Sequence, residues 1–131
     1  MTYLDLYHAA LSKIVVVEST ESVKDYEERA PYLLASFVSQ CASLDKKFRK
    51  AHGNTPATIS HVAAVTMNDA FPLSDVFLTA ASDYLAAMLI MEENEKVSED
   101  LFDRYCDTLA CIEAELPAGI EPIVNRYGGL F

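Results

Sequence analysis

The chain has 131 residues, 51% of them hydrophobic, and sets 20 acids against 10 bases for a formal net charge of −10. That length suits one domain, and the apolar fraction can fill a core without disulfide or metal staples. The acidity argues against tight sequence-independent DNA binding, which depends on neutralising phosphates.

No signal peptide is expected, because Met1 leads into Thr-Tyr-Leu-Asp with no basic start. No stretch has the length and apolarity of a membrane span. Cys41, Cys106 and Cys111 form no CxxC pair. Each falls in a predicted helix and is read as a buried, reduced thiol, which points to a cytoplasmic chain.

Thr2 predicts a helix cap, with Asp5 at the capping-box position. Leu4, Tyr7, Ala10, Leu11 and Ile14 then form the inner stripe of a first helix. The β-branched run Ile14-Val15-Val16-Val17 reads either as an extended piece or as a buried last turn. Ser22 is a plausible cap for a second helix over about 23–51. Its stripe is Tyr26, Ala30, Leu33, Leu34, Phe37, Val38, Cys41, Leu44 and Phe48. Pro31 lies inside it and predicts a kink or a restart near Ala30. Gly53 and Asn54 suit a left-handed helix end.

Lys46, Lys47, Arg49 and Lys50 crowd the end of this helix and are followed by His52. The first reading is cations placed where the helix dipole favours them, on a solvated face. The sharper reading is an electrostatic contact with an acidic partner or with nucleic acid. Phe48, among them, reads as a core anchor. Residues 55–72, opened by Thr55-Pro56 and closed by Phe71-Pro72, are irregular. Ile59, Val62, Val65 and Met67 suit a short strand or a poor helix. The segment is expected to pack on the helices or reach a neighbour.

The centre of the chain is 73–116, read as an antiparallel helical hairpin. Ser74 and Asp75 precede a helix over about 76–93. Phe77, Ala80, Ala81, Tyr84, Leu85, Met88 and Met91 share one face, and Ala86, Ala87, Leu89 and Ile90 widen it almost all round. Such a helix is buried on most sides. Glu92, Glu93, Asn94, Glu95 and Lys96 make the turn. Ser98 is the expected cap of the next helix, with Glu99 and Asp100 in its first turn. Leu101, Phe102, Tyr105, Leu109, Ile112 and Leu116 form its stripe, and Pro117 stops it. The tail over 118–131 is apolar, with Gly128-Gly129 near its end. It either packs on its own domain or docks on a partner. Ile120, Ile123, Val124, Tyr127, Leu130 and Phe131 are its candidate partner-binding anchors.

The fold expected is all-α. It is a small bundle of about four helices around the central hairpin, with an irregular or short β loop, a domain over 1–117 and an extended tail over 118–131. No residue pattern predicts catalysis, a cofactor or a metal. There is no glycine-rich phosphate loop and no nucleophile elbow. His8, His52 and His61 fall on separate elements. Glu92, Glu93, Glu95, Glu99, Asp100, Asp103 and Asp107 read as a solvated acidic face or as an electrostatic surface.

Three stretches carry a family resemblance. They are Tyr26-Glu27-Glu28-Arg29-Ala30-Pro31-Tyr32-Leu33-Leu34, Phe71-Pro72-Leu73-Ser74-Asp75 with the alanine-rich Ala80–Leu89 run, and Glu92-Glu93-Asn94-Glu95 followed by Leu101-Phe102-Asp103-Arg104-Tyr105. Together they resemble bacteriophage and prophage head–tail connector proteins, also called adaptors. The resemblance implies a structural, non-enzymatic subunit that joins the portal in a homo-oligomeric ring and helps form the DNA conduit to the tail. It implies contacts with portal, neighbouring subunits and a tail-completion protein, through 55–72 and the tail. It also implies assembly in the cytoplasm and residence in the virion. An acidic conduit wall would let DNA slide past. The competing readings are a cytoplasmic helical protein-binding module and a DNA-packaging protein of the small-terminase kind. The second should bring a basic helix-turn-helix, for which the Lys46–Lys50 cluster is a thin substitute.

Overall fold

The computed structural model describes residues 1–14 and 20–116, with side chains described over 1–14 and 23–116. Four helices form a bundle: α1 (Tyr3–Lys13), α2 (Thr20–Ala51), α3 (Leu78–Ile90) and α4 (Glu95–Glu115). A 3-10 turn, Asp75–Phe77, leads into α3. Every other helix packs on α3, and α4 does so most extensively.

Helix α1 starts where the sequence predicts. The Thr2 side chain accepts from Asp5 N–H, and the Asp5 carboxylate accepts from Thr2 N–H at 2.9 Å. Its inner face is Tyr3, Leu6, Tyr7, Ala10 and Ile14. Leu4, expected inside, is 37% exposed. The loop decides this, because Met67 and Asp69 carbonyls accept from Leu4 and Tyr3 N–H and set the helix's rotation. Ile14 is an extended C-cap, so α1 ends as the β-branched run begins. Val15, Val16 and Val17 lie outside the described residues.

Helix α2 begins at Thr20, three residues before the expected start, so Ser22 lies within it and is no cap. It runs through Pro31 for 32 residues without a restart. The proline costs one ladder bond, but Tyr26, Ala30, Leu34, Phe37, Val38 and Cys41 are all buried and keep the segment helical on both sides of it. Its end matches expectation. Gly53 takes φ +71°, Asn54 N–H donates to Arg49 O at 2.8 Å, and Gly53 N–H donates to Lys50 O at 3.2 Å. That is the Schellman pattern, which needs a residue at ease in the left-handed region.

Residues 55–72 form no regular element. They are a strap laid on α1 and α2. Val65 N–H donates to Pro31 O, Phe71 N–H donates to Met1 O, and an isolated antiparallel bridge pairs Thr2 with Ala70. Ile59, Val65 and Met67 pack against the core, while Val62 is exposed.

Helix α3 is the buried axis. Ala80 through Ala87 are buried without a break, as are Leu89 and Ile90. It ends at Ile90, short of the expected Glu93, and leaves Met88 half-buried and Met91 45% exposed. Helix α4 is capped by Asn94, whose side chain accepts from Val97 N–H at 3.2 Å. Ser98 is not the cap. It is buried in the helix and donates to Ala87 O at 2.7 Å, pinning the two arms of the hairpin. Leu101, Tyr105 and Ile112 face inward, whereas Phe102 is 38% exposed. Four aromatics join the helices at the centre. Phe37 lies 5.7 Å from Tyr84 and 6.0 Å from Tyr105, ring to ring, and 6.3 Å from Phe71. The tail 118–131, with Ile120, Ile123, Val124, Tyr127, Leu130 and Phe131, lies outside the described residues.

Candidate functional site

Two buried carboxylates anchor the bundle before any surface is left over for function. Asp45 is 1% exposed. One of its oxygens accepts from Arg49 Nε at 2.9 Å. The other accepts from Ser74 N–H at 2.9 Å and Ser74 Oγ at 2.6 Å. Arg49 also donates to Thr55 O at 3.4 Å and Pro72 O at 3.0 Å, so one guanidinium ties both ends of the strap. Arg49 is thus committed to the fold, while Lys46, Lys47 and Lys50 are exposed on the same helix end. His52 stacks on Phe48 at 4.2 Å, which makes Phe48 a half-buried platform as well as a core contact.

The second carboxylate, Asp83, is buried in α3 and takes a hydrogen-bonded ion pair from Lys13 at 2.6 Å. The same ammonium donates to Ser82 Oγ at 2.7 Å. This pair locks α1 to α3.

A third tie joins α2 to the hairpin turn: the Tyr26 hydroxyl donates to the Glu93 carboxylate, and Arg29 donates to Met88 O at 2.9 Å. Burial, with the Glu93 contact, pushes the Tyr26 phenol well above its usual range.

The thiols split. Cys41 is buried, and burial pushes its pKa up to about 11. Cys106 and Cys111 are exposed, contrary to the expectation of three buried thiols. They sit on α4, which buries a narrower stripe than its sequence pattern implies. His8, His52 and His61 are exposed on separate elements. Among the described residues no three His, Cys, Asp or Glu side chains gather as a metal site would require. No described helix is long and apolar enough to cross a membrane.

Two grooves remain. One, of about 380 Å³, runs under the strap between Tyr3, Val38, Ile59, Val65 and Asp69. The other, of about 340 Å³, lies along the hairpin between α3 and α4. Its apolar surface is Met88, Met91 and Phe102, and its acidic rim is Glu95, Glu99 and Asp103. The helical stripes put Met88, Met91 and Phe102 in the core and the acids on a solvated face or an electrostatic surface, a pattern that does not show that they adjoin.

No family model, curated protein or solved structure matches this chain.

Proposed function

We infer that this chain is a structural, protein-docking subunit of the phage or prophage head–tail connector kind. The observation that carries the reading is the convergence of the three resembling stretches. The first contributes Tyr26 and Arg29, the second Met88 and the third Glu93; Tyr26 donates to Glu93 and Arg29 to Met88 O, two separate ties between α2 and the hairpin. Contact between the three stretches supports reading them together. The all-α bundle and the net charge of −10 accord with a wall that DNA passes without sticking.

In this reading the strap and the anchors Ile120, Ile123, Val124, Tyr127, Leu130 and Phe131 reach portal, neighbouring subunits and a tail-completion protein. The protein assembles in the cytoplasm and ends in the virion. Lys46, Lys47 and Lys50 are free for an electrostatic contact with an acidic partner surface. A second reading, a helical protein-binding module outside any phage, is favoured by the hairpin groove, which needs no ring to be useful.

The test is to tag the protein in its host, induce resident prophage and identify co-purifying proteins by mass spectrometry. Portal and capsid proteins are the expected catch. Recovery of an unrelated cytoplasmic protein alone, during active phage production, overturns the connector reading in favour of the module. Deleting 120–131 should abolish capture while leaving helical circular dichroism intact. Loss of the helical signal would instead make the tail part of the core.

A further inference from the structure

The hairpin groove has an apolar floor and a one-signed rim. Met88 is half-buried, while Met91 and Phe102 are 45% and 38% exposed, and the three adjoin along the groove. Glu95, Glu99 and Asp103 stand at i, i+4 and i+8 of α4, so they form a straight row with steps of about 6 Å. All three are exposed. Among the described residues the ion pairs are Lys13–Asp83, Arg29–Asp25 and Arg49–Asp45, so this row is uncompensated. Ser98, at the base of the groove, already donates to Ala87 O. An apolar group can land there without stranding its hydroxyl.

We propose that this groove docks a basic amphipathic helix of a partner protein. Lys or Arg residues spaced four apart on that helix would match the carboxylate row step for step. Large apolar residues on its adjoining stripe would enter between Met91 and Phe102. Two thioethers give the floor the adaptability that helix-binding grooves use. The acidic rim repels nucleic acid and anionic lipid, which leaves a cationic protein segment as the complementary occupant. The inference rests on the protein-docking part of the function above and is independent of the connector identity.

The test uses the full chain and a fluorescein-labelled amphipathic peptide with Lys at three positions four apart and Leu on the neighbouring stripe. A twin peptide carries Glu in place of each Lys. Anisotropy at low salt should show saturable binding of the Lys peptide only, weakening as NaCl is raised. The triple variant Glu95→Lys, Glu99→Lys, Asp103→Lys should lose about tenfold or more in affinity and gain the Glu peptide. Phe102→Ser should also weaken binding, with circular dichroism unchanged in both variants. Three outcomes overturn the proposal: no saturable binding, binding indifferent to the variants, or self-association of the chain that Phe102→Ser abolishes, which would make the occupant a second copy. A negative result here leaves the prophage co-purification free to succeed. Peptide binding with no virion catch would sink the connector identity alone.

Discussion

Two residues with similar side chains illustrate how burial sets the worth of a charge. Asp83 holds the Lys13 ammonium inside the bundle, and Asp45 holds Arg49 and both donors of Ser74. Removing Asp45 strands the Ser74 donors and removing Asp83 leaves a half-buried ammonium without its counter-charge, so Asp83→Ala and Asp45→Ala should each lower urea-unfolding stability, by up to about 3 kcal/mol. Lys13 keeps some solvent access, which places Asp83 at the lower end. Asp25, paired with Arg29 on the exposed face of α2, is the control. Asp25→Ala should change stability by less than about 0.5 kcal/mol. Equal effects at all three positions would mean that burial does not govern these pairs.

The thiols make a second test on single residues. An aromatic disulfide reagent should label Cys106 and Cys111 rapidly in the folded protein, and Cys41 only as the bundle opens. Three equally fast thiols would contradict the burial of Cys41.

Helix ends carry measurable energy of their own. Gly53 has open space around its missing Cβ, so Gly53→Ala meets no steric clash. Its cost is the left-handed backbone alone, about 1 kcal/mol. Thr2→Ala should cost about 1 kcal/mol through the capping box. Asn94→Ala should cost a similar amount because Asn94, not Ser98, caps α4. Chemical denaturation of each variant checks these values. An Asn94→Ala protein as stable as the parent would return the cap to another residue.

For the bundle entire, charge and burial set the response to solvent. With a net charge of −10, repulsion among the exposed acids opposes compaction. Raising NaCl from low to moderate strength should raise Tm, and an unchanged or lower Tm would show that the acids do not repel one another effectively.

At high pH the protein should weaken. Cys41 and Tyr105 are neutral when protonated, and burial raises them from 9.0 to about 11 and from 10.0 to about 12. The unfolded chain therefore loses these protons first. Their contribution is intact below about pH 9 and is lost as pH climbs through 9–11 for the thiol and 10–12 for the phenol. Tyr105→Phe should remove the phenol's share of the alkaline loss in a pH series of denaturation midpoints. An unaltered slope would place the titration elsewhere.

Much of this architecture follows from local rules that the chain carries within itself. Thr2 and Asp5 specify a capping box with nothing but their spacing, and Gly53 ends α2 because it alone there takes positive φ without penalty. The alanine-rich run of α3 is apolar almost all round, which favours burial on most sides. What local rules do not carry is how far each stripe is covered. Leu4 and Leu6 are equally hydrophobic, yet the strap's hydrogen bonds to Tyr3 and Leu4 N–H decide which one turns inward. Pro31 should break a helix by its own chemistry, but continuous burial on the face it shares outweighs one missing bond. Helical i, i+4 spacing sets Asp45 beside Arg49, but Ser74 and Pro72 join them only when the strap folds back, a juxtaposition no periodicity encodes. The hairpin groove belongs to the same class. Helical spacing alone gathers Glu95, Glu99, Phe102 and Asp103 on α4, and the packing of α4 on α3 brings Met88 and Met91 beside them.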